Sequence, residues 1–512
     1  MKKLLTPIYK TGIFLLKRIK ITFAPLGLLI FRTKKPTLAS IYLSQGFIQF
    51  GYLKKLIAQS DVKKLDIIDT AKKGIKLFDL ALKNDPLNVN ALRLKMKIYF
   101  IMGDSINFLN QLKEIHRAKL SISLERKTDK LGLRFIPPYP VMKTIGNSCV
   151  YEGYFKAQIL SGNKAKHVMM FDRKDWPSFV NPHLMTYWSQ YVKIIDDPVT
   201  TKILQPISEY QSDEDGGPIV VDGQVLPTHS ALALIQKYWD QENRPPLFKL
   251  KTWDRERGRK ELKNIGIDDN DWFVCLHIRE SGAKGDEPFR QAPIEDYFLA
   301  IKSITDRGGW VIRMGDPSMT PWPKMSHVFD YACSSIRKDW LDVFLCGACR
   351  FFIGTSSGLY TVAHNFGRPI VQTNYLPTSS IYLSRQDLFI PKLLFNKTSK
   401  IPLTFEEIMQ PPVSMAASDG VFASVLGLSP INNTSEEIME VVIEMLDKLD
   451  GKFQESEEDI YLQKQFNSLT ANVGTLIGLK GIPLNCRIGK EFLHRHKDLL
   501  EVIMRKNTNS PD

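Results

Sequence analysis

The stretch WLDVFLCGACRFFIGTSSGLYTVAHNFGRPIVQT, residues 340–373, decides the fold class of this chain. Its apolar residues recur at helical spacing in two segments and form short continuous runs, typical of buried strands, in two others. The predicted elements are a helix at Trp340–Cys349, a strand at Phe351–Ile353, a helix at Leu359–Phe366 and a strand at Pro369–Thr373. This alternation is typical of a parallel sheet that helices cover on both faces.

The same alternation precedes this stretch. Strands are predicted at Trp272–Ile278 and Trp310–Met314, with an amphipathic helix at Ile294–Thr305 between them. A weaker strand-and-helix pattern begins after three prolines near residue 138. We therefore predict an α/β protein with two Rossmann-like domains. The predicted divisions are a basic apolar segment at 1–36, a helical region at 37–128, a first α/β domain at 129–262, a second at 263–400 and a helical region at 401–512.

The composition is that of a folded protein, with 512 residues of which 43% are hydrophobic and 24% are charged. The six cysteines show no disulfide framework, which predicts a reducing, cytoplasmic compartment. Cys346 and Cys349 have the spacing of a redox or zinc pair. They lie within the predicted apolar helix without a second pair, which favours core packing.

The charge excess is concentrated at the start of the chain. The net charge is +14, and residues 1–35 hold nine Lys or Arg and no Asp or Glu. Basic residues and interrupted apolar runs predict a segment that lies on an anionic membrane surface at the cytoplasmic face of the inner membrane. A packed helix with a charged face is the alternative. Later basic runs with interleaved aromatics are missing from the sequence, so no nucleic-acid partner is predicted.

The region 37–128 shows helical periodicity throughout. Phe78–Leu82, then Asp85–Pro86 and Ala91, resemble a tetratricopeptide helix pair, with a small residue where helices touch and a proline that opens the next helix. Since only one such repeat is clear, an ordinary helical pair docked on the rest of the chain remains the alternative.

Two polar clusters follow predicted strands of the second α/β domain. His277 and Arg279 alternate with apolar residues at the end of one strand, so they share a face. An arginine there suits a diphosphate because its fork donates two hydrogen bonds and keeps its charge. An ion pair at the sheet edge is the alternative.

The second cluster is the turn Gly354–Gly358, in which Thr355, Ser356 and Ser357 precede a helix. Small residues let backbone amides approach an anion, and a helix start adds partial positive charge. A helix N-cap is the alternative. At a third strand end, Asp316 is predicted to accept a hydrogen bond from a ribose or sugar hydroxyl, or to serve only in a turn. Parallel strands bring such ends to one edge, where ligands bind.

Several strings of this sequence resemble a bacterial family of glycosyltransferases with tetratricopeptide-like N-terminal helices. The resemblance is densest over Trp272–Leu394. The matching strings are HIRE, ITDRGGWVIRMGD, DWLDVFLCGACRFFIGTSSGL, FGRPIVQTN and DLFIPKLL. More distantly, the strand end and the serine turn resemble fucosyltransferase-like enzymes of the GT-B architecture. The resemblance implies two lobes, with an acceptor-side first domain near Gly146 and Asn147 and a donor-binding second domain. It implies a donor diphosphate held by Arg279, Thr355, Ser356 and Ser357, and a nucleoside near Asp316. His277, Arg290 and Gly358 complete the predicted donor-binding residues. Gly282 departs from the full His-x-Arg-x-x-Asp pattern, so the donor's identity is open.

The expected function is transfer of a sugar from a nucleotide-sugar donor to a cell-surface glycan or lipid-linked acceptor. Arg279 and Arg290 would stabilise the leaving diphosphate, so no metal and no cofactor are predicted, and no Asp-x-Asp motif stands near these residues. Glu280, Asp286 and Glu287 are the candidates for the general base. Two alternatives remain, a non-catalytic tetratricopeptide scaffold with a degenerate α/β domain and another phosphate-handling enzyme. An epimerase is disfavoured because its Gly-x-Gly-x-x-Gly turn is missing from the sequence.

Overall fold

The computed structural model describes residues 37–136, 138, 144–171, 181–211, 218–280 and 288–500. The helices are α1 Leu38–Ile57, α2 Lys64–Asn84, α3 Val89–Ile101, α4 Ser105–Glu125, α5 Ser148–Ser161, α6 Pro182–Trp188, α7 Pro198–Gln211, α8 Thr228–Gln241, α9 Thr252–Asn264, α10 Phe298–Asp306, α11 Asp339–Ala348, α12 Tyr360–Asn365, α13 Phe405–Met409, α14 Ser435–Leu449, α15 Glu457–Val473 and α16 Lys490–Arg495. The strands are β1 Leu133–Phe135, β2 Lys166–Met170, β3 Val192–Ile195, β4 Ile219–Val221, β5 Gln224–Leu226, β6 Phe273–His277, β7 Trp310–Arg313, β8 Val328–Asp330, β9 Phe352–Gly354, β10 Ile370–Tyr375, β11 Leu388–Pro391, β12 Leu393–Asn396, β13 Leu428–Ile431 and β14 Arg487–Ile488.

A seven-stranded sheet in the order β14-β11-β10-β9-β6-β7-β8 organises the second half of the chain. Every pair in it is parallel. The predicted α/β class with a large parallel sheet is therefore confirmed. The chain runs outward from β6 to β7 and β8, then returns to β9 on the other side of β6. The carboxyl ends of β6 and β9 thus form the topological switch point, where open α/β sheets bind ligands.

A smaller parallel sheet, in the order β1-β2-β3, lies in the first half of the chain. Helix α5 connects β1 to β2, and its Phe155 is buried with Met169 of β2. The same hydrophobic cluster includes Val274 of β6 and Phe352 of β9. Because one core is continuous between the two sheets, the division into two α/β domains stays a prediction.

Four helices, α1 to α4, run through the region for which helical periodicity was found. Glycines lie where these helices meet: a Cβ on Gly46 would come within 2.5 Å of the Phe78 ring, and one on Gly74 within 2.8 Å of Ile98. Helix α3 and helix α4 share a second apolar cluster with Met415. The helices therefore pack on the body of the protein, and their tetratricopeptide character stays a prediction.

The region 401–512 differs in part from the helical expectation. It supplies β14, which pairs with β11 at the edge of the large sheet, and β13, which pairs with β12. A strand of two residues is too short to show period-two alternation, which is why the sequence pattern missed it. None of the helices in the described part of the chain combines the length and the apolar character needed to cross a bilayer. The predicted membrane-surface segment lies outside the described residues.

Candidate functional site

The site begins where β6 and β9 end side by side. In their parallel register His277 pairs with Gly354. The ladder continues one step beyond the strands, since the N–H of Thr355 donates to the carbonyl of His277 at 3.2 Å. The backbone N–H of Arg279 then donates to Oγ1 of Thr355 at 3.0 Å. The arginine-bearing strand end and the hydroxyl-rich turn are therefore joined directly at the switch point.

The three hydroxyls of the turn have different surroundings, although all three side chains are buried. Thr355 accepts from Arg279, and Ser356 Oγ accepts from the N–H of Leu376 at 3.1 Å. These two hydroxyls brace the turn against the ends of β6 and β10. The Ser357 hydroxyl is buried and has no hydrogen-bond partner among the described residues. Since a buried polar group normally has a partner, Ser357 is the hydroxyl best placed to meet a ligand.

The helix after the turn contributes less than the sequence pattern indicated. Helix α12 begins at Tyr360 and has six residues, and its N-cap residue, Leu359, makes no side-chain cap. Ser356 and Ser357 therefore do not serve as N-caps. Because the macrodipole sums over aligned peptides, a helix this short adds little charge. The anion-binding capacity of the turn rests on its amides, its hydroxyls and the neighbouring cations.

The turn also touches the first half of the chain. A Cβ on Gly358 would lie 2.7 Å from the Cα of Gly146, and a Cβ on Gly146 would lie 2.4 Å from the Cα of Gly358. Two glycines are needed because the backbones approach without room for a side chain. Gly146 and Asn147, predicted to face the acceptor, thus stand next to the hydroxyl-rich turn.

The histidine of the strand end is held neutral. Burial, together with the positive charges of Arg279 and Arg313, lowers the pKa of His277 to about 4. Its buried Nδ1 has no hydrogen-bond partner among the described residues. At neutral pH the imidazole can donate or accept a hydrogen bond without carrying charge. It is therefore a polar contact for a ligand and not a cation.

Asp316 lies at the exposed end of β7, within the electrostatic reach of this histidine. Burial would raise its pKa, but hydrogen bonds from Ser318 and the positive charge of Arg337 outweigh that effect, so the pKa is lowered. The Ser318 N–H donates to Oδ1 at 2.8 Å, which is the turn chemistry considered above. Arg337 was not singled out in the sequence, since no motif surrounds it.

Glu280, a predicted catalytic residue, is buried in a charge network. It pairs with the Arg313 guanidinium, and its Oε2 accepts from the N–H of Thr320 at 3.0 Å. Arg313 also pairs with Asp330 at 2.9 Å. Both oxygens of Glu280 are thus engaged, so its contacts favour holding Arg313 over accepting a proton from a substrate. The other base candidates, Asp286 and Glu287, lie outside the described residues.

Arg290 lies on a segment that is fastened at two points. The N–H of Ala292 donates to the carbonyl of Arg279 at 3.0 Å. Lys392 Nζ donates to the carbonyl of Gln291 at 2.7 Å, and burial lowers the lysine's pKa to about 8. Sequence reasoning missed this lysine, although it directly follows an apolar strand within the string DLFIPKLL. It anchors the segment that holds Arg290 near the sheet edge.

His364 belongs to a buried ion network and not to the ligand edge. Its Nδ1 lies 3.1 Å from Oε2 of Glu152, which also pairs with Lys156 at 2.5 Å. Burial opposes ionisation of Glu152, but the two cations dominate and lower its pKa to about 2. The network ties α12 to α5, and no local pattern signals it because its members are 212 residues apart.

The predicted cysteine pair lies in the protein core. Cys346 and Cys349 are both buried as free thiols in and after α11. No group of three or more His, Cys, Asp or Glu side chains in the described part of the chain is placed to hold a metal ion.

Comparison with known proteins finds solved structures that resemble this chain only distantly. No protein-family profile and no curated protein match the chain. Similar solved structures include a family 9 glycosyl transferase from Veillonella parvula DSM 2008, at 12% identity and a TM-score of 0.30 over 47% of this chain and 79% of that one. The E. coli ADP-heptose lipopolysaccharide heptosyltransferase II has 12% identity and a TM-score of 0.29 over 51% of this chain and 90% of its own. The dodecameric iron-containing heptosyltransferase TibC, in complex with ADP-D-beta-D-heptose, has 12% identity and a TM-score of 0.32 over 62% and 77%. None of the three is a fucosyltransferase-like enzyme, and likeness at this level supports no inference about chemistry.

Proposed function

We propose that this protein is a glycosyltransferase that takes its sugar from a nucleotide-sugar donor bound at the switch point of the large sheet. The observation that carries the proposal is the direct link between the strand end bearing Arg279 and the turn bearing Thr355. The link joins the backbone of Arg279 to the turn that carries the Ser357 hydroxyl, at the edge where such sheets bind ligands. This set of donors suits a diphosphate.

The chemistry requires stabilisation of the leaving nucleoside diphosphate. Arg279 and Arg290 supply fixed positive charge, and Ser357 supplies a hydroxyl whose hydrogen-bonding capacity no described residue uses. Because protein cations perform this role, the proposed reaction needs neither a metal ion nor a cofactor. His277 and Asp316 offer uncharged and acidic contacts for the ribose or the sugar.

The proposed acceptor is a cell-surface glycan precursor or a lipid-linked intermediate at the cytoplasmic face of the membrane. It rests on the family resemblance and on the nine basic residues at 1–35, which would draw the protein to an anionic surface.

Thermal unfolding with a panel of UDP, GDP, ADP, CMP and their sugars tests the proposal. A nucleotide at about 100 times its dissociation constant stabilises a protein by about 2.7 kcal/mol. We expect one nucleoside diphosphate to raise the melting temperature of the wild type and to lose most of this effect with Arg279→Ala. Arg255→Ala, an exposed site on α9, serves as the control and keeps the full shift. If none of the panel shifts the wild type, the non-catalytic scaffold becomes the better reading.

A further inference from the structure

A histidine from the first half of the chain packs against an aromatic residue near the candidate site. His229 lies in the first turn of α8 and its side chain is exposed. Its ring centroid is 5.9 Å from that of Tyr382. No described residue hydrogen-bonds to its ring nitrogens, so both are available to a ligand.

The His229 side chain is exposed, and its imidazole is neutral at pH 7. The surrounding protein, followed by the charge of Arg290, lowers its pKa to about 4. Lys156 of the neighbouring helix α5 is neutralised by its pair with Glu152. Arg290 is therefore the cation whose charge lowers the pKa of His229.

The neighbours of His229 connect it to the candidate site. The Tyr382 ring lies 6.2 Å from the ring of Tyr360, which opens α12 directly after the hydroxyl-rich turn. Arg290 also acts on Tyr375, where its charge offsets part of the burial that raises the phenol's pKa to about 12. Tyr375 precedes Leu376, whose N–H braces Ser356. His229 thus packs near the tyrosine that follows the hydroxyl-rich turn, and Arg290 lies within electrostatic range of both His229 and the end of β10.

We propose that His229 is the general base that takes the proton from the acceptor hydroxyl. The inference rests on the proposed function. In the step, the acceptor oxygen forms a bond to C1 of the sugar, and the bond from C1 to the phosphate oxygen breaks. Its electron pair leaves on the nucleoside diphosphate, and the acceptor proton moves to the imidazole nitrogen. Glu280 is engaged with Arg313 and does not compete for this role.

The position of Arg290 couples donor binding to the basicity of the histidine. In the free protein the guanidinium disfavours the imidazolium, so the imidazole is neutral and its lone pair is free. A bound diphosphate offsets that positive charge, which raises the affinity of His229 for a proton when the donor is present. A base tuned toward the working pH in this way transfers protons more effectively.

The experiment measures release of nucleoside diphosphate from the nucleotide sugar that stabilises the wild type, with water as the acceptor. His229→Asn and His229→Gln are compared with His327→Asn, an exposed histidine before β8 at the opposite edge of the sheet, where asparagine tolerates the left-handed backbone. A general base contributes about 100- to 10,000-fold. We expect both His229 variants to lose turnover in this range while binding the nucleoside diphosphate within about twofold of the wild type, and His327→Asn to behave as the wild type.

The pH profile supplies a second readout. For the wild type we expect the acidic inflection of kcat to lie at higher pH than that of kcat/KM, because only the former reports the complex with bound donor. Full turnover in the His229 variants, or loss of nucleotide binding equal to that of Arg279→Ala, would overturn the base assignment alone. A wild type that neither binds nor cleaves any nucleotide sugar would overturn the proposed function and this inference together.

Discussion

The backbone N–H of Arg279 and the side-chain oxygen of Thr355 are joined by a hydrogen bond of 3.0 Å, although 76 residues separate them. This contact fixes the strand end against the turn. Thr355→Val removes the acceptor at nearly constant volume and leaves a backbone donor unsatisfied, which costs about 1 to 3 kcal/mol. We expect lower stability and weaker nucleotide binding, with Thr355→Ser retaining both. Chemical denaturation and calorimetric titration would measure the two effects, and an unchanged affinity in the valine variant would contradict the role of this contact in donor binding.

Replacement of Ser356 should mainly lower stability, whereas replacement of Ser357 should mainly lower nucleotide affinity. Ser356→Ala deprives the Leu376 N–H of its partner and should cost about 1 kcal/mol of stability. Ser357→Ala removes a hydroxyl that no described residue satisfies, so stability should be nearly unchanged or slightly higher. Nucleotide affinity should fall mainly in the Ser357 variant, by about tenfold for one lost hydrogen bond to a charged group. Equal effects of both variants on stability and affinity would show that the two hydroxyls do not differ in this way.

The glycine contact between the two halves should tolerate no side chain. Gly146→Ala places a Cβ 2.4 Å from the Cα of Gly358, and the backbone must shift to accept it. We expect a loss of about 1 to 3 kcal/mol, as for other overpacked sites, together with impaired turnover. Gly51→Ala is the matched control, since nothing lies within 4 Å of its Cβ on α1. It should instead stabilise the helix by about 0.5 to 1 kcal/mol. Thermal melts of both variants would decide the point.

Replacement of Glu280 separates a structural role from a catalytic one. Glu280→Gln weakens the buried pair with Arg313, and breaking such a pair costs about 3 to 5 kcal/mol. We expect a lower melting temperature but turnover per folded molecule close to that of the wild type, measured well below that temperature. A loss of more than about 100-fold in kcat at unchanged stability would identify Glu280 as the base and would also count against His229.

The Glu152 network gives stability a defined pH dependence. The pKa of Glu152 is lowered to about 2 from an unfolded value of 4.5, so its contribution is fully present above pH 4.5 and is lost as the pH falls toward 2. Glu152→Gln removes the carboxylate that pairs with both Lys156 and His364, and we expect it to be less stable at pH 7 by about 3 to 5 kcal/mol. The difference between variant and wild type should shrink between pH 4.5 and 2. The exposed Glu114→Gln is the control and should change stability by less than about 0.5 kcal/mol. Urea unfolding at several pH values provides the measurement, and a difference that does not vary with pH would rule out this account.

The sequence by itself determined the α/β class and the strand ends that form the candidate site. Strands such as β6 and β7 are apolar over most of their length, and the helices between the strands repeat at the helical period, so local pattern was sufficient. His277 ends β6, Arg279 lies two residues further on, and the turn at 355–357 directly follows β9. Parallel strands end at one edge, so their proximity followed from topology alone.

Only the tertiary structure decided which charged side chains pair with each other. Glu280 pairs with Arg313, and His364 pairs with Glu152, because neighbouring strands and packed helices bring them together over 33 and 212 residues of chain. The same packing brings His229 within electrostatic range of Arg290 and shows which hydroxyl of the turn has no described partner. Periodicity reports which face of an element is buried but carries no information about the opposing residue. The chemical state of a buried side chain depends on that residue, and so it appears only once the chain is folded.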